Sequence, residues 1–205
     1  MDRPEVPHFS PLCGRVKLEM EPCSGRGGEV NSFALVSYLS DPLAGFLNRL
    51  RRDLVPQCVA KAHVTVLPPR PLRIPREEAW QELQQGLQKF RPFRVELGDV
   101  ALFPGFQAVY LSIGAGYQEL ERMHAALNIG RLAWEEPFQY YPHLTLAQEL
   151  APQELAAAME LAAARWREFP HPRGFTVDQL TFVQNTLENR WTDLAAMDLA
   201  SHAVL

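Results

Sequence analysis

Residues 63–66 read His63-Val64-Thr65-Val66, and 80 residues later positions 143–146 read His143-Leu144-Thr145-Leu146. In a strand, residues i and i+2 leave the same face about 6.5–7 Å apart, so each tetrapeptide sets an imidazole beside a hydroxyl and turns its two apolar side chains the other way. The chain holds six His and six Thr. A His two positions before a Thr is then expected about 0.2 times by chance, and about 0.04 times once the apolar neighbours are required. Two copies point to a duplicated strand, one in each half of the chain.

The flanking sequence supports that reading. Residues 33–39 (Phe-Ala-Leu-Val-Ser-Tyr-Leu) suit a buried strand, and Asp41-Pro42 opens a helix to about Leu54 with Leu43, Phe46, Leu47 and Leu50 on one face. Residues 59–67 alternate as a second strand, ended by Pro68-Pro69, and 76–90 have the spacing of an amphipathic helix. Strands at 93–102 and 107–113, divided by Pro104-Gly105, precede a helix at 117–127. The second motif strand spans 141–148, Pro152 opens an alanine-rich helix to about Trp166, and 175–183 and 191–199 are closing strands. This order predicts two α+β lobes rather than a doubly wound parallel sheet.

Residues 1-30 carry Pro4, Pro7, Pro11, Pro22 and four glycines, which predicts a flexible arm with strand character only at 16–20; Met20 is a candidate second start. Residues 31-205 form the folded domain. At 205 residues, 47% hydrophobic and 21% charged, the chain can bury a sizeable core, which excludes a disordered chain. It holds no apolar run of about 18 residues and starts without a signal-peptide pattern, so a cytoplasmic protein with no membrane contact is expected. A net charge of −4 argues against an extended nucleic-acid surface while allowing a local anion pocket. Cys13, Cys23 and Cys58 lack CxxC spacing and read as reduced thiols.

Two imidazoles and two hydroxyls brought together across a pseudo-two-fold would suit a phosphodiester. One imidazole takes a proton from the attacking oxygen and the other gives one to the departing oxygen, while each threonine hydroxyl donates to a non-bridging oxygen. No cofactor is needed for that chemistry. A metallohydrolase with His63 and His143 as ligands would call for nearby carboxylates or a further His, and neither motif supplies one.

The segments HVTVLPP and YPHLTLAQ resemble the paired His-x-Thr/Ser-x motifs of the two-histidine (2H) phosphoesterases, which include 2'-5' RNA ligase-like proteins and RNA 2',3'-cyclic phosphodiesterases. The resemblance runs from about Ser32 to Leu199, carried less specifically at its end by residues 176–183 and by Trp191-Thr192-Asp193-Leu194. It implies an α+β, bilobal, pseudo-two-fold fold with two antiparallel sheets facing a central cleft and helices outside. It also implies hydrolysis of a 2',3'-cyclic phosphate on an RNA terminus or nucleotide to a 2'-phosphate, His63 protonating the leaving 3'-oxygen and His143 activating water. Some relatives carry a basic residue where this chain has Gln148, which puts ligase activity in doubt. The alternative in another class is a catalytically idle nucleotide-binding module in the same cleft. A monomer is expected.

Lys61 and Tyr141 lie two residues before their histidines, where they either extend the pocket or form solvated or core-edge contacts. Arg70 and Arg73 follow the Pro-Pro turn, where a guanidinium either reaches the anion or serves solubility. His8, His124, His171 and His202 lack a matching context; Phe103, Phe106, Tyr110 and Phe138 either stack a base or belong to the core. The arginines at 49, 51 and 52 read as the solvated end of the first helix.

Overall fold

The computed structural model describes residues 28–59, 61–103 and 106–199; residues 1–27 of the arm, including its candidate strand at 16–20, and the Pro104-Gly105 divider lie outside them. Among the described residues, eight strands and four helices follow in the order β1 (Glu29–Tyr38), α1 (Leu43–Leu54), β2 (His63–Arg70), α2 (Arg76–Leu87), β3 (Phe93–Leu102), β4 (Val109–Ile113), α3 (Tyr117–Leu127), β5 (His143–Ala147), α4 (Leu155–Arg167), β6 (Gly174–Val177), β7 (Gln179–Thr186) and β8 (Trp191–Asp198). A short 3-10 turn, Gly130–Leu132, follows α3. Two antiparallel sheets result, ordered β2-β1-β7-β8 and β5-β4-β3-β6, so the fold is the expected α+β arrangement with each motif strand at a sheet edge.

The helices follow from their apolar spacing. Leu43, Leu47 and Leu50 on α1, Ala79, Leu83 and Leu87 on α2, Leu120, Met123 and Leu127 on α3, and Ala158, Ala162 and Trp166 on α4 form buried stripes. The Asp41 carboxylate accepts the Gly45 amide at 2.8 Å, satisfying one orphan donor of the first turn. Helix α1 packs on β5 and α4, and α3 packs on β2 and α2. Each half's first helix therefore backs the other half's motif strand, and one hydrophobic cluster joins Leu35, Val64 and Val66 of the first sheet to Leu111, Leu144 and Leu146 of the second.

Three strands depart from the sequence reading, the first because β1 begins at Glu29, four residues before the expected start at 33 and within the stretch read as the arm. Residues 175–183 are not one strand: β6 pairs with β3, and β7 with β1 and β8. Phe175 and Val177 are buried at odd positions but Leu180 and Phe182 at even ones, so the alternation slips a phase at exposed Asp178 and the chain changes sheets there. The first motif strand starts later and runs further than expected, through Pro68-Pro69 to Arg70. Register shifts against β1 fall between Phe33 and Val36, the pairs opposite the prolines, and an edge strand with a bulge tolerates residues that cannot donate. Its start is delayed because the Ala62 amide bonds the Asn48 side chain at 2.6 Å and the Lys61 carbonyl accepts from Arg51, both on α1.

Phe182 is 3% exposed and stacks on Phe33 (centroids 5.4 Å) and Trp80 (5.9 Å), pinning α2 to the first sheet. Phe182→Ala is expected to destabilise the protein by about 3–5 kcal/mol in urea unfolding. A loss below about 1 kcal/mol would show that the α2 interface does not depend on this ring.

Candidate functional site

The two motifs share one burial pattern. His63, Thr65, His143 and Thr145 are half-buried, whereas Val64, Val66, Leu144 and Leu146 are buried in the core. Strands β2 and β5 lie against each other, which brings the two His/Thr faces from separate sheet edges to one place. Between them the Tyr140 hydroxyl donates to the Thr65 carbonyl at 2.7 Å, tying the segment that enters β5 to the middle of β2.

Each ring is held the same way. His63 Nδ1 donates to the Lys61 carbonyl and His143 Nδ1 to the Tyr141 carbonyl, both at 2.7 Å. A carbonyl only accepts, so it fixes the proton on Nδ1 and leaves Nε2 with a lone pair when the ring is neutral. Burial lowers the pKa of both rings; the carbonyl contacts oppose it, and for His63 the charges of Arg51 and His143 add to it, giving about 4. Both rings are therefore neutral at pH 7, each with an unprotonated Nε2.

The surroundings differ. Around His143 stand Phe103 (4.6 Å, edge-on), Tyr110 (5.7 Å) and Tyr141 (6.4 Å), with Phe103 stacked on Tyr110 at 4.0 Å. Tyr110 itself is core, at 1% exposure, while Phe103, Phe106 and Phe138 are half-buried. Among the described aromatic rings, the edge of Tyr38 approaches His63 at 6.2 Å from the position opposite it on β1. Burial and Asp193 raise the Tyr38 phenol well above its usual range, so it remains a donor.

Lys61 and Tyr141 both reach this region. Lys61 is exposed; its Nζ lies 2.9 Å from Asp193 Oδ2 and 4.7 Å over the Tyr38 ring, and Tyr38 donates to Asp193 Oδ1 at 2.5 Å. Burial would raise the Asp193 pKa, but the bonds from Tyr38 and Lys61 and the lysine charge outweigh it and hold the carboxyl below its usual range. Arg70 corrects an expectation: at 3% exposure its guanidinium donates to Pro68 O, Asn128 Oδ1 and Glu136 Oε1 rather than toward an anion. The same Glu136 oxygen contacts His124 Nε2 at 2.7 Å, and the His124 ring lies flat on Tyr140 at 3.9 Å, so Arg70 and His124 brace the tyrosine that bonds Thr65. Arg73 is exposed, beside the Trp134 ring.

Sequence reasoning missed three contributors. Tyr38 becomes visible only once register sets it opposite His63, and Asp193 only through its bonds to Tyr38 and Lys61. Arg51 is 7% exposed, not solvated like Arg49 and Arg52, and its place four residues after Leu47 in the stripe of α1 is the signal that could have found it. Among the described residues no group of three or more His, Cys, Asp or Glu side chains is placed to hold a metal, and no helix is long and apolar enough to cross a membrane. A recess of about 310 Å³ between α1 and α4, lined by Phe46, Arg49, Leu50, Arg52, Asp53 and Arg165, contains none of the motif residues.

Comparison with solved structures gives the same fold. Escherichia coli LigT in its apo form matches at 17% identity, covering 83% of this chain and 98% of LigT, with a TM-score of 0.58. A structure described as a phosphoesterase matches at 16% identity, 85% and 100% coverage and a TM-score of 0.58. E. coli LigT complexed with 3'-AMP matches at 16% identity, 83% and 99% coverage and a TM-score of 0.58. No curated protein matches the sequence. The family model of the 2'-5' RNA ligase superfamily matches residues 39–189, a span that contains both histidine motifs, the whole of the second sheet, and β2 and β7 of the first. The chain belongs to the 2'-5' RNA ligase superfamily of two-histidine phosphoesterases.

Proposed function

We propose that this protein is a phosphodiesterase that hydrolyses the 2',3'-cyclic phosphate of an RNA end or nucleotide to a 2'-phosphate, using His63 and His143 as its only proton-transfer groups. The observation that supports it is the matched pair of imidazoles, each with Nδ1 tied to a carbonyl two residues back and Nε2 left available. One Nε2 removes a proton from water as its oxygen bonds to phosphorus; the other, protonated, gives its proton to the 3'-oxygen as the P–O3' bond breaks. Water is added across that bond and the pair's proton count is unchanged.

Thr65 and Thr145 flank the rings and donate to the non-bridging oxygens, holding the phosphorus in line. Phe103, edge-on to His143, and Tyr141, stacked beside it, offer a face to the base, and Lys61 sits at the rim paired with Asp193. The phosphate has a reason to bind: it brings negative charge to two desolvated rings and so restores the protonation that burial suppresses. A LigT structure of the same fold holds a nucleotide, 3'-AMP, which fits this ligand class. Hydrolysis rather than ligation is the reaction assigned, since the exposed Gln148 supplies no charge for a second RNA end.

With 2',3'-cyclic nucleotides in excess EDTA, turnover is expected, and His63→Ala and His143→Ala should each lower kcat by at least about 10²-fold. Nucleotide binding at micromolar concentration without turnover would instead establish an idle binding module. Tyr140→Phe removes only the bond to the Thr65 carbonyl. It should cost about 1 kcal/mol of stability in urea and lower kcat by more than it raises KM, because it loosens the spacing of the two strands; unchanged kcat would mean that the bond does not set that spacing.

A further inference from the structure

Two histidines held by identical backbone contacts need something to make them unequal if one is to accept a proton while the other gives one. Arg51 differs between the two halves. It occupies a core-facing position of α1, 7% exposed, and its Nη1 donates at 3.0 Å to the Lys61 carbonyl, the oxygen that also accepts from His63 Nδ1. Among the described residues it has no carboxylate partner, and its buried Nε has no hydrogen-bond partner at all. A leucine or methionine would fill the stripe more cheaply than a buried unpaired cation. The matching carbonyl in the second half, Tyr141 O, holds His143, and among the described residues no guanidinium donates to it.

We propose that Arg51 is a positioning residue that breaks the symmetry of the pair: acting through the Lys61 carbonyl and by its charge, it keeps His63 neutral as the proton acceptor, so that the proton drawn in with a bound phosphodiester resides on His143.

This rests on the phosphodiesterase reading and deepens it by assigning the two roles. The groups facing His63 are Arg51 from α1, Lys61 from the lead into β2, Tyr38 from β1, His143 from β5 and Asp193 from β8. Lys61, Tyr38 and Asp193 satisfy one another, since both lysine and phenol are bonded to that carboxylate. The charge left over is that of Arg51. The groups facing His143 are aromatic: Phe103, Tyr110 and Tyr141. The Arg51 charge is among the causes that lower the His63 pKa, in agreement with the geometry, whereas for His143 the causes are burial and the opposing carbonyl contact, with no cation among them.

The consequence reverses the roles that family resemblance implies. His63 Nε2 takes the proton from water, and protonated His143 delivers one to the 3'-oxygen as its bond to phosphorus breaks. With the less basic ring as base and the more basic as acid, the commonest singly protonated form of the pair is also the productive one. The opposite assignment would run through the rarer form.

Imidazole NMR titration of the full chain, ¹⁵N-labelled at histidine, with saturating inorganic phosphate and with the signals assigned by His63→Gln and His143→Gln, tests this without requiring turnover. His143 should protonate at higher pH than His63. Arg51→Met should raise the His63 midpoint by about one pH unit, a tenfold gain in proton affinity, while moving His143 by less than about a third of that; Arg51→Lys should restore most of the difference. In kcat/KM the acid limb should move up with the His63 midpoint in Arg51→Met. Protonation of His63 before His143 in the wild-type protein would overturn the proposal even if no variant folds, and so would equal shifts of both rings in Arg51→Met. Absence of cyclic phosphate turnover with the expected titration order would instead count against the phosphodiesterase reading alone.

Discussion

The meeting of two sheet edges is the constraint on which the site depends. A strand inside a sheet has both backbone edges committed to neighbours, but β2 and β5 each have one free, and in this fold they lie against each other. Period-two alternation then does the rest. With Val64, Val66, Leu144 and Leu146 drawn into one core, His63, Thr65, His143 and Thr145 have a single face left to occupy. A one-residue slip of either strand would bury an imidazole and expose a leucine or valine, so packing enforces the register that chemistry requires. The Tyr140 hydroxyl on the Thr65 carbonyl adds a direct tie, and because Tyr141 carries the carbonyl that holds His143, adjacent residues touch both motifs.

How much of this was legible in the sequence depended on whether the signal was local. The helix at 117–127 and the strand at 93–102 carry their limits in their own periodicity, and the structure places them at those residues. The motif strands were visible because a phase-locked His/Thr pair leaves a mark that needs no partner. The split at Asp178 was written in the sequence too, as a change of parity between Val177 and Leu180, but reading it requires knowing that a strand can leave one sheet for another. The prolines at 68 and 69 were read as a stop because a central strand could not hold them; whether a strand is central or at an edge is a property of the sheet.

The arginines show where local reading fails. Arg70 follows the motif strand and looked poised for an anion, yet its partners Asn128 and Glu136 lie far along the chain and turn it inward. Arg51 looked like one of three solvated charges at a helix end, but the angle of its position on α1 aims it at the strand carrying His63. Composition treats the two alike. Only the tertiary partners decide that Arg70 is a neutralised brace and Arg51 an uncompensated charge behind the site.

Burial of the rings sets the character of the centre. Removing an imidazole from water favours its neutral form, so the folded protein takes up these protons less readily than the unfolded chain, and stability present above the unfolded pKa of about 6.5 is drawn down as pH falls toward the lowered values. That cost falls on the acid side and leaves neutral pH untouched. At neutral pH the site presents imidazole lone pairs and phenol and threonine hydroxyls, with the Asp193 carboxylate paired to Lys61 and the buried Arg51 guanidinium behind His63. In the proposed reaction a phosphodiester would supply the charge compensation for a protonated ring, and the asymmetry between a ring backed by Arg51 and a ring backed by aromatics would then determine which of the two becomes protonated.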